Sequence, residues 1–475
     1  MSFRKLSASL LIFLLASAAV AQSAVLPPLK VEGRQLVDDK GNSVVLHGVM
    51  DTPNRYFNNY RWQSWKADYT DGDTQPCIEY FEKLFTAITD KSQGAYCTVF
   101  RLHLDPCWTN DPNKPLQGAG GEHNISQFSS ARLTKYWTKL YSVIMEKALA
   151  HGLYVILRPP GVCPQTVKVG DEYQSYLKTV WGTIAASKLL QQYSGQVSIE
   201  LANEPVTVTN ADGTQTETSL RDFFQPVVDI IRTRGFKGVL WIPGSGYQSQ
   251  YGGYAKYPVS DPEDNYGYAV HVYSGWYGNM TDNNCNAETF IRNFKSQVPV
   301  VETKPVMVTE IDWSPNDPSR SDEGHLNEWG QWTAPNFGSW ATASSSKWGK
   351  AWRAVHDHYG NIGMTLTSTD DYLDIDEYLK TKTVRPGFQK AKDYGLFEEC
   401  CAYTCFQWYK EFYEKQNTGI SPVFEDSDAA DVVAGTEKYY DLQGRRVDAR
   451  YRGICIKEVR LSNGKTKKTT ICNMK

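Results

Sequence analysis

Eight short apolar segments, separated by helical patterns, predict an α/β chain built as an eight-stranded β/α (TIM) barrel followed by a small C-terminal β module. Two observations carry this. Strand-like and helix-like patterns alternate over most of the chain, the rhythm of a parallel sheet with crossover helices. Polar residues also cluster where the apolar segments end, and a β/α barrel delivers the C-terminal ends of its strands to one common face.

The segments fall in order. Strand one is expected near Val44 to Val49, two near Cys97 to Leu104, three near Tyr154 to Leu157 and four near Val197 to Ala202. Strand five is expected near Val239 to Ile242, six near Tyr268 to Tyr273, seven near Val306 to Thr309 and eight near Ile362 to Leu366. Apolar residues recur at helical spacing from Leu133 to His151 and from Leu220 to Arg234. Eight strands complete the barrel and leave nothing for an extra sheet in this region. A closing helical segment is expected near Phe406 to Lys415.

Two carboxylates stand at strand ends: Glu204 in Leu201-Ala202-Asn203-Glu204-Pro205, and Glu310 after Val306-Met307-Val308-Thr309. Surface solvation is the ordinary fate of a glutamate. Both of these directly follow apolar strands, where solvation is the poorer account. A barrel brings such remote residues together. Breaking a glycosidic bond needs one carboxyl to protonate the leaving oxygen and one carboxylate to attack or to activate water. Phe100-Arg101-Leu102-His103 and Val270-His271-Val272-Tyr273 end two further strands.

Together with Gly41-Asn42-Ser43-Val44-Val45-Leu46-His47-Gly48-Val49, these motifs resemble family 5 glycoside hydrolases of the retaining β/α-barrel clan, over roughly positions 30 to 415. The resemblance implies that Glu204 is the acid/base, Glu310 the nucleophile and Asn203 the partner of the sugar 2-hydroxyl. It implies that Arg101 supports the nucleophile and that His271 and Tyr273 line the cleft. His103, Trp276 and Trp313 complete the candidate substrate-binding or supporting set. The implied reaction is retaining, endo-acting hydrolysis through a glycosyl-enzyme, with the carboxylates about 5 Å apart. It needs no cofactor and no metal. Two departures bear on substrate. The family's strand-three His is replaced within Leu157-Arg158-Pro159-Pro160-Gly161, and Met364-Thr365-Leu366-Thr367-Ser368-Thr369 lacks the family's strand-eight Trp. The expected substrate is a β-1,4-linked polysaccharide, cellulose or β-glucan first and xylan or mannan next. A non-catalytic glycan-binding barrel is the rival from another class.

A net charge of −3 gives no electrostatic case for nucleic acid. With 14 Trp and 29 Tyr, the chain is rich in rings that stack on sugar faces, although most such residues serve cores. Arg4-Lys5, the run Leu10 to Leu15 and Ala19-Val20-Ala21 read as a signal peptide over 1–21, hence a secreted protein with no transmembrane segment, expected to be a monomer. The barrel is assigned 30–417, a linker 418–435 and the β module 436–475, which resembles the sorting or anchoring tails of secreted Bacteroidetes proteins. Among ten cysteines, Cys107 with Cys163 and Cys455 with Cys472 are candidate disulfides, while Cys400, Cys401 and Cys405 lack a further ligand to complete a zinc site. The insertion from Trp313 to Lys347 holds Trp329, Trp332 and Trp340 and is either a cleft wall or a self-packed loop. Asp370, Asp371, Asp374 and Asp376 read as a solvated acidic loop rather than a calcium site.

Overall fold

Parallel strands must bury both faces, and the apolar segments of this chain meet that demand by closing on themselves. The computed structural model describes residues 26–64, 66, 68–280, 285–313, 325–326, 332–333, 346–387, 401–417, 437–441, 445–448, 453–460 and 466–473. The barrel strands are β1 (His47–Asp51), β2 (Val99–His103), β3 (Tyr154–Arg158), β4 (Val197–Glu200), β5 (Leu240–Pro243), β6 (Tyr266–Val272), β7 (Val306–Ile311) and β8 (Ile362–Leu366). Each pairs in parallel with its neighbours in sequence, and β8 returns to β1 to close the ring. All eight overlap the segments read from the sequence, although β1 runs His47–Asp51 where Val44 to Val49 was expected. Gly48 lets β1 approach β2, since a Cβ there would sit 1.7 Å from the Val99 carbonyl oxygen.

Alternation along the strands divides the core into two shells. Val99, Ile156, Trp241, Ala269 and Met307 fill the lower barrel interior, capped from below by Leu29 and Leu36 of an N-terminal hairpin. Neighbours of opposite parity, such as Phe100, Val155, Ile199, Val270 and Val308, face the surrounding helices. These include Thr74–Ile88, Glu172–Ala185, Ser219–Thr233, Ala287–Gln297 and Ser346–Tyr359. The pattern from Leu133 to His151 is not one regular helix: a π turn over Trp137–Tyr141 joins Ser130–Tyr136 to Ser142–Ala150. The closing helix runs Cys401–Asn417, and its Tyr409 hydroxyl donates to the Gly48 carbonyl at 3.0 Å.

Several expectations need correction. Extra sheets do exist: Lys30–Glu32 pairs with Gln35–Val37, and Thr166–Lys168 with Thr207–Thr209. The second pair ties together the loops that follow β3 and β4. Three-residue strands such as these are too short to announce themselves by alternation. Cys107 and Cys163 are not bonded: Cys107 packs beside Tyr69, and Cys163 beside Tyr173. The acidic loop is only partly solvated, and Asp370 and Asp376, its more exposed members, are paired. Arg61 bridges Asp370 and Asp376 at 2.8 and 3.0 Å, while Asp371 and Asp374 are buried and cap helical turns.

The C-terminal strands Lys438–Asp441, Arg446–Val447, Gly453–Arg460 and Thr466–Asn473 form a four-stranded antiparallel sheet. Its register sets Cys455 opposite Ile471 and Cys472 opposite Ile454, and the candidate disulfide between the two cysteines lies outside the described side chains. The signal segment, the linker 418–435, Trp329 and Trp340 lie outside the described residues. Among the described residues no helix is long and apolar enough to cross a membrane.

Candidate active site

At the C-terminal end of the barrel the interior turns from apolar to charged. Strand alternation points Arg101 of β2 and Glu200 of β4 inward, and neither side chain is exposed. Arg101 grips Glu200 with two parallel bonds, Nε to Oε2 at 2.6 Å and Nη2 to Oε1 at 3.0 Å. Its Nη1 donates to Glu310 Oε1 at 2.7 Å, and Nη2 also donates to Asn203 Oδ1 at 2.8 Å. Such a fork suits guanidinium geometry, which presents five donors in one plane.

Glu310 owes its orientation to an irregularity. Val306 and Val308 face the helices, so simple alternation would turn Glu310 outward with them. The ladder shifts register there, with Val270 pairing Val308 and His271 pairing Glu310. Both Thr309 and Glu310 then reach inward: Thr309 Oγ1 donates to Glu200 at 2.8 Å, and Glu310 meets Arg101. Bulges commonly re-aim a side chain in this way. The Tyr273 hydroxyl donates to Glu310 Oε2 at 2.9 Å.

Glu204 sits on a left-handed backbone, φ 55°, which a residue with a Cβ adopts at a cost. Gln248, itself at φ 60°, holds it there by accepting the Glu204 N–H at 2.7 Å. The same amide donates to Glu200 at 3.1 Å, so one buried glutamine joins the turn to the charged layer. The His271 ring stands between the two glutamates, its Nδ1 3.1 Å from Glu204 Oε1 and 3.5 Å from Glu310 Oε2. An atom of each of these three side chains lies within 4.8 Å of the others. That grouping is the one set among the described residues with donor atoms close enough to hold a metal ion.

Around these groups opens a cleft of about 630 Å³, lined on one side by Phe57, His103, Glu122 and Arg158 and on the other by Tyr247, Tyr273 and Trp276. A second hollow of about 230 Å³ adjoins it beyond Glu204, past Val162 and Tyr247. The structure thus brings Glu204, Glu310, Arg101, Asn203, His271 and Tyr273 together, with His103 and Trp276 in the wall. Trp313 is the exception. It is wholly buried and packs against Trp348, with Gly349 closely apposed, so it belongs to the core and not to the cleft. Glu200, Gln248, Glu122 and Arg158 join the site without belonging to the candidate set read from the sequence. Glu200 was within reach, because a charged residue at an inward strand position requires a countercharge. Gln248 carried no such signal.

Electrostatics separate the groups. Burial would push the Glu310 carboxyl up, but the charges of His271, Arg101 and Arg158 outweigh it and hold Glu310 at about 2. Burial, then the Arg158 and Arg101 charges, keep His103 well below the usual imidazole range. Because the folded state depresses Glu310, its charge stabilises the fold above the ordinary value near 4.5, and that contribution is lost as pH falls towards 2. Arg101→Met should therefore cost about 3–5 kcal/mol, as expected when one partner of a buried ion pair is removed. Glu310 should then take up its proton at higher pH, moving the acid limb of any activity profile upward. Arg101→Lys should fall between, keeping charge but losing the fork. Thermal melts and pH–rate profiles of both variants test this; a wild-type acid limb in Arg101→Met would refute it.

Residues 63–349, more than half of the chain, match the model of the cellulase family, glycosyl hydrolase family 5. Similar solved structures include a β-glucanase from Saccharophagus degradans crystallised with cellotetraose (15% identity, TM-score 0.48, covering 82% of this chain and 94% of that one). A β-mannanase from Streptomyces thermolilacinus is similar at 15% identity and TM-score 0.41, covering 72% of this chain and 85% of that one. No curated protein matches. Through the family match, with its barrel and its charged strand ends, the chain belongs to glycosyl hydrolase family 5 and is a glycoside hydrolase.

Proposed function

We propose that this enzyme cleaves a β-1,4-linked glucan, cellulose or a mixed β-glucan, by an endo-acting, retaining mechanism. The observation that carries the mechanism is the separation of Glu204 and Glu310, whose nearest carboxylate oxygens are within 4.8 Å. Retaining pairs stand about 5–5.5 Å apart, and inverting pairs leave room for a water at about 6.5–9.5 Å. Glu310, held ionised, attacks the anomeric carbon as the bond to the leaving oxygen breaks. Glu204 gives that oxygen its proton, and Tyr273 and Arg101 release Glu310 into its new ester. Water then enters where the leaving sugar was. Glu204 takes the water's proton as the water oxygen bonds to the anomeric carbon and the ester bond to Glu310 breaks, which restores both side chains. Asn203, its Oδ1 engaged by Arg101, keeps its NH₂ for a sugar hydroxyl.

A glucan suits the walls. Phe57 and Tyr247 are 53% and 42% exposed on opposite sides of the cleft. Equatorially substituted chains present flat C–H faces to such rings. An open cleft that continues past Glu204 suits internal cleavage rather than trimming of ends. Export through the N-terminal segment, a monomeric state, and a sorting or anchoring role for the C-terminal sheet complete the proposal.

Glu310→Gln keeps the shape of the side chain but removes the nucleophile. Turnover on barley β-glucan should vanish while the glucan still binds; activity above about a tenth of wild type would refute this role, since covalent catalysis has no substitute here.

Glu204→Gln should cripple hydrolysis of polysaccharide yet spare the first step on aryl glycosides with good leaving groups, which barely need a proton. Azide, needing no general base, should then restore turnover as the glycosyl azide forms. Failure of azide, with aryl glycosides as impaired as polymer, would remove Glu204 from this role.

Ending the chain after Asn417 should leave the barrel folded. Among the described residues, barrel strands pair only with one another, and so do the strands of the C-terminal sheet. Cooperative melting and turnover on soluble oligosaccharide should be essentially unchanged. A large loss of turnover in a folded truncation would show that the sheet borders the cleft.

A further inference from the structure

Arg158, at the end of β3, is a buried cation whose hydrogen bonds are incomplete. Its side chain is 5% exposed. Nη1 donates to His103 Nδ1 at 2.9 Å. Since a guanidinium only donates, that imidazole nitrogen must be the acceptor, and the His103 proton lies on Nε2. Among the described residues Arg158 Nε is buried without a partner. The nearest carboxylate, Glu122, stands 3.9 Å from Nη2, beyond a direct hydrogen bond.

Glu122 comes from the loop after β2, and the backbone pins it in place. Its carbonyl accepts from Val162 N at 3.3 Å and rests on Gly161, where a Cβ would fall 2.0 Å from that oxygen. Gly161 also takes φ +76°, so the close approach is open only to glycine. A donor and an acceptor are thus fixed side by side in the cleft wall with a gap between them. A hydroxyl both donates and accepts, so two adjacent hydroxyls on one ring can bridge that gap. One receives an Arg158 N–H, and the other donates to Glu122. Glu122 shares the cleft with Glu204 and Glu310, and three carboxylates there disfavour a uronic acid.

We infer that Arg158 and Glu122 form a hydroxyl clamp, a specificity element that binds a pair of adjacent hydroxyls on a neutral sugar unit of the substrate. It supplies by directed hydrogen bonds what the end of β8, where Thr367 and Ser368 line the cleft, does not supply by stacking. The clamp rests on the glycan-hydrolysing reading of this site.

The test is hydrolysis of an aryl β-cellobioside and its monodeoxy derivatives by wild type, Glu122→Gln, Arg158→Lys and Arg158→Met, each checked for cooperative melting. Hydrogen bonds to charged groups contribute about 1.5–3 kcal/mol, so each variant should lose on the order of 10- to 100-fold in kcat/KM on the parent glycoside. On the derivative lacking the clamped hydroxyl, wild type should fall to the level of the variants, and the variants should lose little more. Should Arg158→Met fail to fold, the partly exposed Glu122 carries the comparison alone. Variants within about threefold of wild type on the parent glycoside would overturn the clamp. So would losses equal on every deoxy derivative, the mark of a merely structural role. Active wild type with indifferent variants refutes only the clamp, whereas wild type inactive on every glycoside and glucan refutes the parent reading with it.

Discussion

A guanidinium with no solvent access must be neutralised from within the protein, and the upper half of this barrel is arranged around that demand. Arg101 uses Nε and Nη2 on Glu200, shares Nη2 with Asn203 and turns Nη1 to Glu310. Burying a charge costs least when it is paired and hydrogen-bonded throughout. Here that condition is met by two carboxylates, and Glu200 is further satisfied by Thr309 and Gln248. Glu200 is the permanent countercharge. With it in place, the covalent step proposed for Glu310 would not leave Arg101 unpaired.

Regular strands could not place these groups, and irregular backbone orients both Glu310 and Glu204. A register shift beside Glu310 turns two consecutive residues of β7 inward. Glu204 occupies a left-handed conformation, as do Gly246, Tyr247 and Gln248 in the loop facing it. The two segments clasp each other: Gly246 and Tyr247 donate to the Val206 and Pro205 carbonyls at 2.9 and 3.0 Å, and Gln248 accepts from Glu204. Strain of order 1–3 kcal/mol per residue persists only where surrounding contacts over-determine it. That clasp is the over-determination.

The legible part of the molecule follows from periodicity. Eight strands and the charged residues at their ends could be read because inward and outward positions alternate and apolar runs are bounded by polar ones. Glu204 and Glu310 stood out as carboxylates ending apolar strands, whereas Arg101, Asn203, His271 and Tyr273 were marked by the family resemblance, and alternation alone would have turned Glu310 outward. Trp313 did not behave as its position suggested. An aromatic residue just past a strand end can turn either to the cleft or beneath it, and Trp348 with Gly349 offered a slot beneath. Gln248 was invisible for a different reason. Its role depends on three consecutive left-handed residues, only one of which is glycine. The two departures at the ends of β3 and β8 were visible as motifs, but their meaning required the loop that brings Glu122 to Arg158.

Those departures give the cleft its asymmetry. On the side of the first three strands the wall is largely polar, with Arg158, His103 and Glu122 beside the ring of Phe57; across it stand Tyr247, Tyr273 and Trp276. Trp276 leans on both tyrosines, with ring centroids 6.3 and 5.2 Å away, so the aromatic wall is braced as a unit. Apolar faces hold a flat ring with little regard to where its hydroxyls point. Directed hydrogen bonds are sensitive to just that, because a mismatched hydroxyl leaves buried polar groups unpaired. Under the proposed clamp, a barrel of this design would separate affinity, spread over the aromatic wall, from selectivity, concentrated where β3 meets the loop after β2. The charged layer around Arg101 lies beneath both walls. It can stay unchanged while either wall is altered to suit another glycan.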